Sequence, residues 1–216
     1  MDNVQVVRSA NRKSISINIQ PDQSVLVKAP LRASDKDISA LLKHHEDWIG
    51  QKQQQLRLRS EIQPANTYWY LGKTYPLEVR LTQKNIIEVT DKIYIATANK
   101  VYWKKYLESW YRQQSRKVIL DRVVRYAGIS GLSYRSVALT SAQTRWGSCS
   151  SNKTLNFNWK LIMAPLEVID YVVAHELAHL TEMNHSADFW ETVRKMDPLY
   201  REHRTWLKRN GQLLIL

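Results

Sequence analysis

His175-Glu176-Leu177-Ala178-His179 restricts what this chain can fold into more than any other five residues in it. Ile169, Tyr171, Val172, Val173 and Leu180 around it are apolar, and Pro165 stands where a helix can begin. The segment therefore reads as a buried helix running from Pro165 through His179. Histidines at i and i+4 stand one turn apart on one helix face, so both imidazoles can reach a single metal ion. Glu176, beside the first of them, can contact a metal-held water without itself binding the metal. Six histidines and ten glutamates in 216 residues produce this spacing by chance in about one such chain in a hundred. The competing reading is a pair of hydrogen-bonded core histidines, because polar groups inside so apolar a helix need partners.

A catalytic zinc site commonly has three protein ligands and one open position. His185, six residues beyond His179, is the first candidate for the third, and Glu191 and Glu202 are its rivals. The order His175, His179, His185 has the ligand spacing of the metzincin pattern but departs from it at Glu182, where that pattern has glycine. His44, His45 and His203 have no partner at ligand spacing, which suits solvated or core histidines.

The rest of the chain supplies both strands and helices. Ser14–Ile19 alternates with period two, and a turn at Pro21-Asp22-Gln23-Ser24 leads to a return strand at Val25-Leu26-Val27. Ser34 with Asp37 three residues on marks a helix start, and the helix is expected to reach about Arg59. Pro64-Ala65-Asn66 breaks the pattern. Hairpins are expected at 68–79, around Gly72-Lys73, and at 86–95, around Asp91-Lys92. A long helix follows over about 100–126. Ser186 is a candidate cap for a further helix to Met196, and Pro198 opens a last one. This pattern predicts two regions, an antiparallel β-rich stretch over 1–98 with one helix and a catalytic domain over 99–216.

The net charge is +12, and half of it lies in residues 99–134, with eight basic and two acidic side chains. Residues 135–216, which hold the histidine motif, contribute only +2. Helix 100–126 reads either as a surface for nucleic acid or a nucleotide, or as an ordinary solvated face. Its aromatic residues Trp103, Tyr106 and Trp110 fall on the expected core face, which counts against base stacking. No run of eighteen apolar residues suggests a membrane span, and the first residues lack the apolar stretch of a secretory signal. The single Cys149 excludes an internal disulfide framework, so a reducing cytoplasm is the expected location.

VVAHELAHLTEMNHSADFW at 172–190, preceded by TRWGSCSSNKTLNFNWKL at 144–161, closely resembles the YgjP-like metallopeptidases, also called domain of unknown function 45. NRKSISINIQPDQSVLVKAP at 11–30 is similar to that family's opening, so the resemblance spans nearly the whole chain. In style the motif is also similar to SprT-like and WLM zinc peptidases. Arg145-Trp146-Gly147-Ser148-Cys149 combined with His185-Ser186 and Phe189-Trp190 is far more specific than the histidine pair alone. The resemblance implies an α+β, zincin-like (minigluzincin-type) catalytic domain, with zinc on His175, His179 and His185 and Glu176 as general base.

In a zincin architecture the strand around Leu155–Leu161 is expected to edge the cleft and to pair with an extended peptide. Arg145, Trp146, Gly147, Ser148 and Asn158 are then the candidate substrate-binding residues. The plainer reading makes Trp146 a core residue and Gly147 a bulge. Three function classes follow: a zinc metallopeptidase acting on a peptide or protein, a metal-dependent hydrolase of nucleoside triphosphates or other phosphoanhydrides, and a non-enzymatic nucleic-acid-binding module with structural zinc. Glu176 counts against the last, since a structural site needs no base and closes its fourth position.

Overall fold

Val25, Val27 and Ala29 are buried at every second position of one short strand, the alternation of a sheet with one covered face. The computed structural model describes residues 4–20, 22–62 and 66–216, so Pro21, Pro64 and Ala65 of the expected turn and break lie outside the described residues. The chain forms two compact units, Met1–Ala65 and Asn66–Leu216. Among the described residues its class is α+β, with ten strands and six α-helices.

The first unit holds β1 (Val4–Ser9), β2 (Ser16–Ile19), β3 (Val25–Pro30), α1 (Asp35–His44) and α2 (Glu46–Ile62). Strand β3 is central. It pairs antiparallel with β2 (Ile17 opposite Val27) and parallel with β1 (Val6 opposite Val27). Its buried face meets Ile38, Leu42 and Ile49. Helix α1 starts at a capping box: Asp37 N–H donates to Ser34 Oγ, and Ser34 N–H donates to Asp37 Oδ2. The single helix expected from Ser34 is two. His45, at φ −104° and ψ 17°, closes α1, and Glu46 and Asp47 give α2 the acidic first turn that suits a helix N-terminus.

The second unit begins with a four-stranded sheet in the order β4-β5-β7-β6, where β4 is Thr67–Tyr70, β5 Lys73–Leu81, β6 Ile86–Val89 and β7 Ile93–Thr97. The two expected hairpins are the β4/β5 and β6/β7 pairs. They join through β5 and β7, which run parallel with Leu77 opposite Ile93. With two parallel pairings, the N-terminal region is not the antiparallel one expected from sequence. Hairpin signals are local, whereas parallel pairing joins strands distant in the chain.

A 28-residue helix, α3 (Trp103–Ser130), follows and stops at Gly131, whose φ of 64° is the left-handed cap conformation. Its buried stripe is Leu107, Tyr111, Ser115, Ile119, Val123 and Ala127, one residue per turn. This stripe shares one core with Leu77, Ile93 and Ile95 of the sheet. Tyr111 also donates its hydroxyl to Trp69 O at 2.6 Å. The sheet β4–β7 and α3 thus lie in the same compact unit, which begins at Asn66.

A three-stranded sheet comes next, with β8 (Ser136–Thr140), β9 (Gly147–Cys149) and β10 (Thr154–Asn158) in the order β8-β10-β9. Three helices complete the unit: α4 (Leu166–Ala178), α5 (Ala187–Met196) and α6 (Tyr200–Asn210).

Candidate metal centre

Helix α4 is buried almost all round. Val168, Ile169, Val172, Val173, Ala174, Leu177 and Ala178 are each at most 3 % exposed. Placing His175 and Glu176 in such a helix is costly unless function or pairing compensates. His179 is the residue on which α4 ends. Its Nδ1 lies 3.0 Å from Glu182 O. A carbonyl only accepts, so Nδ1 donates in this contact and Nε2 is the ring nitrogen available to a metal, the arrangement typical of metal-ligating histidines.

From there the chain turns back and brings His185 to the other two imidazoles. The ring centroids are 5.0 Å apart for His175–His179, 5.0 Å for His175–His185 and 4.9 Å for His179–His185. One nitrogen from each ring lies within 4.8 Å of the others. Nε2 of His175 and Nε2 of His185 face each other at 3.2 Å. Of the candidate third ligands, His185 converges on the pair. Glu191 is engaged with Arg194 at 2.7 Å, and neither it nor Glu202 joins the cluster.

Phe189, fully buried on α5, touches all three imidazoles, with centroids 4.9, 4.6 and 4.7 Å from those of His175, His179 and His185. Trp190 lies nearly parallel to the His185 ring, at 5.8 Å and 29°. Ser186 Oγ caps α5 by accepting from Phe189 N–H at 3.2 Å, which fixes where both aromatics project. In the sequence these two residues stand out only within the family signature Phe189-Trp190. His185 is exposed and sits on a loop, so its orientation depends on this packing. Trp190→Ala is expected to weaken metal affinity about tenfold, checked by competition against a chromophoric chelator.

Glu176 is 4 % exposed, and its Oε2 has no hydrogen-bond partner among the described residues. Burial pushes its carboxyl up to about 8, with the Arg145 charge pulling the other way. Gly147 is packed directly on it. A Cβ at residue 147 would come within 2.7 Å of Glu176 Cγ and Cδ. Burial, then the neighbouring imidazoles, pushes His175 down to about 3, so it stands as a neutral donor. Three converging imidazole nitrogens with a buried carboxyl beside them suit a divalent transition-metal ion, and leave room in its coordination shell.

The candidate substrate-binding residues divide. Arg145 is exposed, and Gly147 and Ser148 lie on β9, at the edge of the sheet. Ser148 Oγ accepts from Asn156 Nδ2 at 3.4 Å. Trp146 is half-buried against the backbone of Gly211. Asn158 is 5 % exposed and committed at both ends of its amide, donating to Ala142 O at 2.8 Å and accepting from Lys160 N–H at 3.0 Å. It caps the turn of 3-10 helix after β10. The strand expected to edge the cleft, β10, is the central one, because β8 fills its other side in parallel register. The edge strands are β8 and β9, and Gly147 and Ser148 lie on the second. Cys149 lies outside the imidazole cluster.

On α3, Arg112 is bonded to Glu108 and Ser141, and Arg122 to Asp170, so part of that helix's charge is neutralised internally. This gives no support to a nucleic-acid partner. Among the described residues no helix is long and apolar enough to cross a membrane.

A family model for the YgjP-like metallopeptidase domain matches residues 13–210. Among curated proteins none gives a significant match. Among solved structures, the metallopeptidase zymogen jannalysin of Methanocaldococcus jannaschii is similar at 21 % identity and a TM-score of 0.37, over 43 % of this chain and 96 % of that one.

Proposed function

Because the chain belongs to the YgjP-like metallopeptidase family, we propose that it is a zinc peptidase whose metal is held by His175, His179 and His185 and whose general base is Glu176. The observation that carries this reading is the buried, unpartnered Glu176 carboxyl next to three converging imidazoles. The reacting groups lie within 99–216, in what we take to be a zincin-like, minigluzincin-type catalytic domain together with the sheet packed on it. Zinc, when bound there, supplies a Lewis acid that polarises a scissile carbonyl and acidifies water.

The chain's own residues do the rest. Glu176 takes a proton from the attacking water and delivers it to the leaving amine. Its burial keeps its proton affinity high enough to be reprotonated near neutral pH. Asn158 N–H donates to Trp146 O at 2.8 Å, which makes 146 and 158 a hydrogen-bonded pair of the ladder. By alternation, the N–H and C=O of Gly147 point away from β10 toward the open edge. An extended peptide can add there as a further strand, which sets its scissile bond beside Glu176.

Purified protein is expected to carry an equimolar amount of zinc and to hydrolyse peptides. A chelator should abolish the activity and zinc should restore it, while Glu176→Gln keeps the metal without turnover. Hydrolysis of nucleoside triphosphates but of no peptide would overturn the proposal, as would full activity in Glu176→Gln.

A further inference from the structure

Arg204 sits on α6 one turn after Tyr200, and both side chains lie against Trp190. The guanidinium carbon is 5.0 Å from the centroid of the Trp190 ring, and Tyr200 stacks on the same indole at 5.2 Å and 17°. Trp190 in turn is 5.8 Å from the ring centroids of both His175 and His185. The guanidinium therefore lies no farther from either imidazole than the sum of those two distances.

A cation beside a cation-binding cluster weakens metal binding, so its presence calls for a compensating use. Several arginines of this unit pair with carboxylates, among them Arg112 with Glu108, Arg122 with Asp170 and Arg194 with Glu191. Arg204 is exposed and forms no ion pair among the described residues. Stacking on Trp190 holds it in place while its in-plane N–H groups remain free to bind an oxyanion.

The geometry points to Arg204 as the binding residue for a carboxylate of the substrate, located within a few residues of the bond that is cleaved. This extends the peptidase reading above by naming a substrate class. An extended chain advances about 3.3 Å per residue, so at most about four residues span the distance from the imidazoles to the guanidinium. The carboxylate could be the free C-terminus of a peptide or an acidic side chain, and the chemistry at Arg204 is the same for both.

The test is calorimetric binding to zinc-loaded Glu176→Gln protein, in which peptides persist, with and without Arg204→Gln. The probes are acetyl-trialanine with a free C-terminus, its C-terminal amide, and the acetylated amide of alanyl-aspartyl-alanine. With Arg204 present, one or both acidic probes should bind at least about tenfold more tightly than the neutral amide. Which one does so identifies the source of the carboxylate. Arg204→Gln should erase the preference without lowering zinc affinity, and Arg204→Lys should restore part of it.

Equal binding of all three probes overturns the proposal. So does a preference that survives Arg204→Gln, because the carboxylate then sits on the metal or elsewhere. An Arg204-dependent preference in a protein that cleaves no peptide would retain the anion subsite and remove the peptidase reading, so the two fail separately.

Discussion

Gly147→Ala is expected to reduce peptide hydrolysis by about 10²–10⁴-fold, the range lost when a general base is removed, while the bound metal stays in place. No ligand is altered by the change. The new methyl would overlap Glu176 Cγ and Cδ, and the carboxyl would have to leave its present position. The backbone of Gly147 lies outside the left-handed region, so glycine serves there for room and not for rotation. Overpacking of this kind costs roughly 1–3 kcal/mol, so loss of activity should outrun loss of stability. A double variant separates displacement from general damage: adding Gly147→Ala to Glu176→Gln should cost little further activity, since both act through the same carboxyl. If the two losses multiply, Gly147 acts by another route.

The second large effect concerns stability. Arg122 of α3 makes a bidentate pair with Asp170 of α4, and both side chains are only 12 % exposed. The pair fixes the helix that carries His175 and Glu176 against the longest helix of the unit. Asp170→Ala leaves a guanidinium buried without its counter-charge, which should cost about 3 kcal/mol or more. In a unit of this size that lowers Tm by roughly 6 °C or more in thermal unfolding of the full chain. The paired replacement Arg122→Met with Asp170→Leu should recover most of the loss, because neither charge is then stranded. Equal destabilisation by the single and double changes would show that packing, not the uncompensated charge, dominates.

Features legible in the sequence were those set by near neighbours in the chain. The i, i+4 histidines followed from helix periodicity, the Ser34 and Ser186 caps from their local residue patterns, and the β4/β5 and β6/β7 hairpins from turn residues between alternating runs. Contacts between distant residues were not legible. Gly147 meets Glu176 across a loop, a strand, a 3-10 turn and most of a helix, and in the sequence it reads as a rim or bulge residue. The central place of β10 depends on β8 pairing from the far side, which its own residues do not signal. Asn158 looked available as a polar residue near the motif, but its partners Ala142 and Lys160 are backbone groups that only the fold brings to it.

The four rings at the metal centre have a stereochemical consequence. The three imidazole centroids form a nearly equilateral triangle, and Phe189 lies almost equidistant from its corners, so it sits close to the triangle's threefold axis. A fully buried ring on that axis closes one side of the cluster. On the proposed peptidase reading, a peptide aligned along β9 would then approach from the other side, and attack would fall on one prochiral face of the carbonyl, whatever the substrate's side chains.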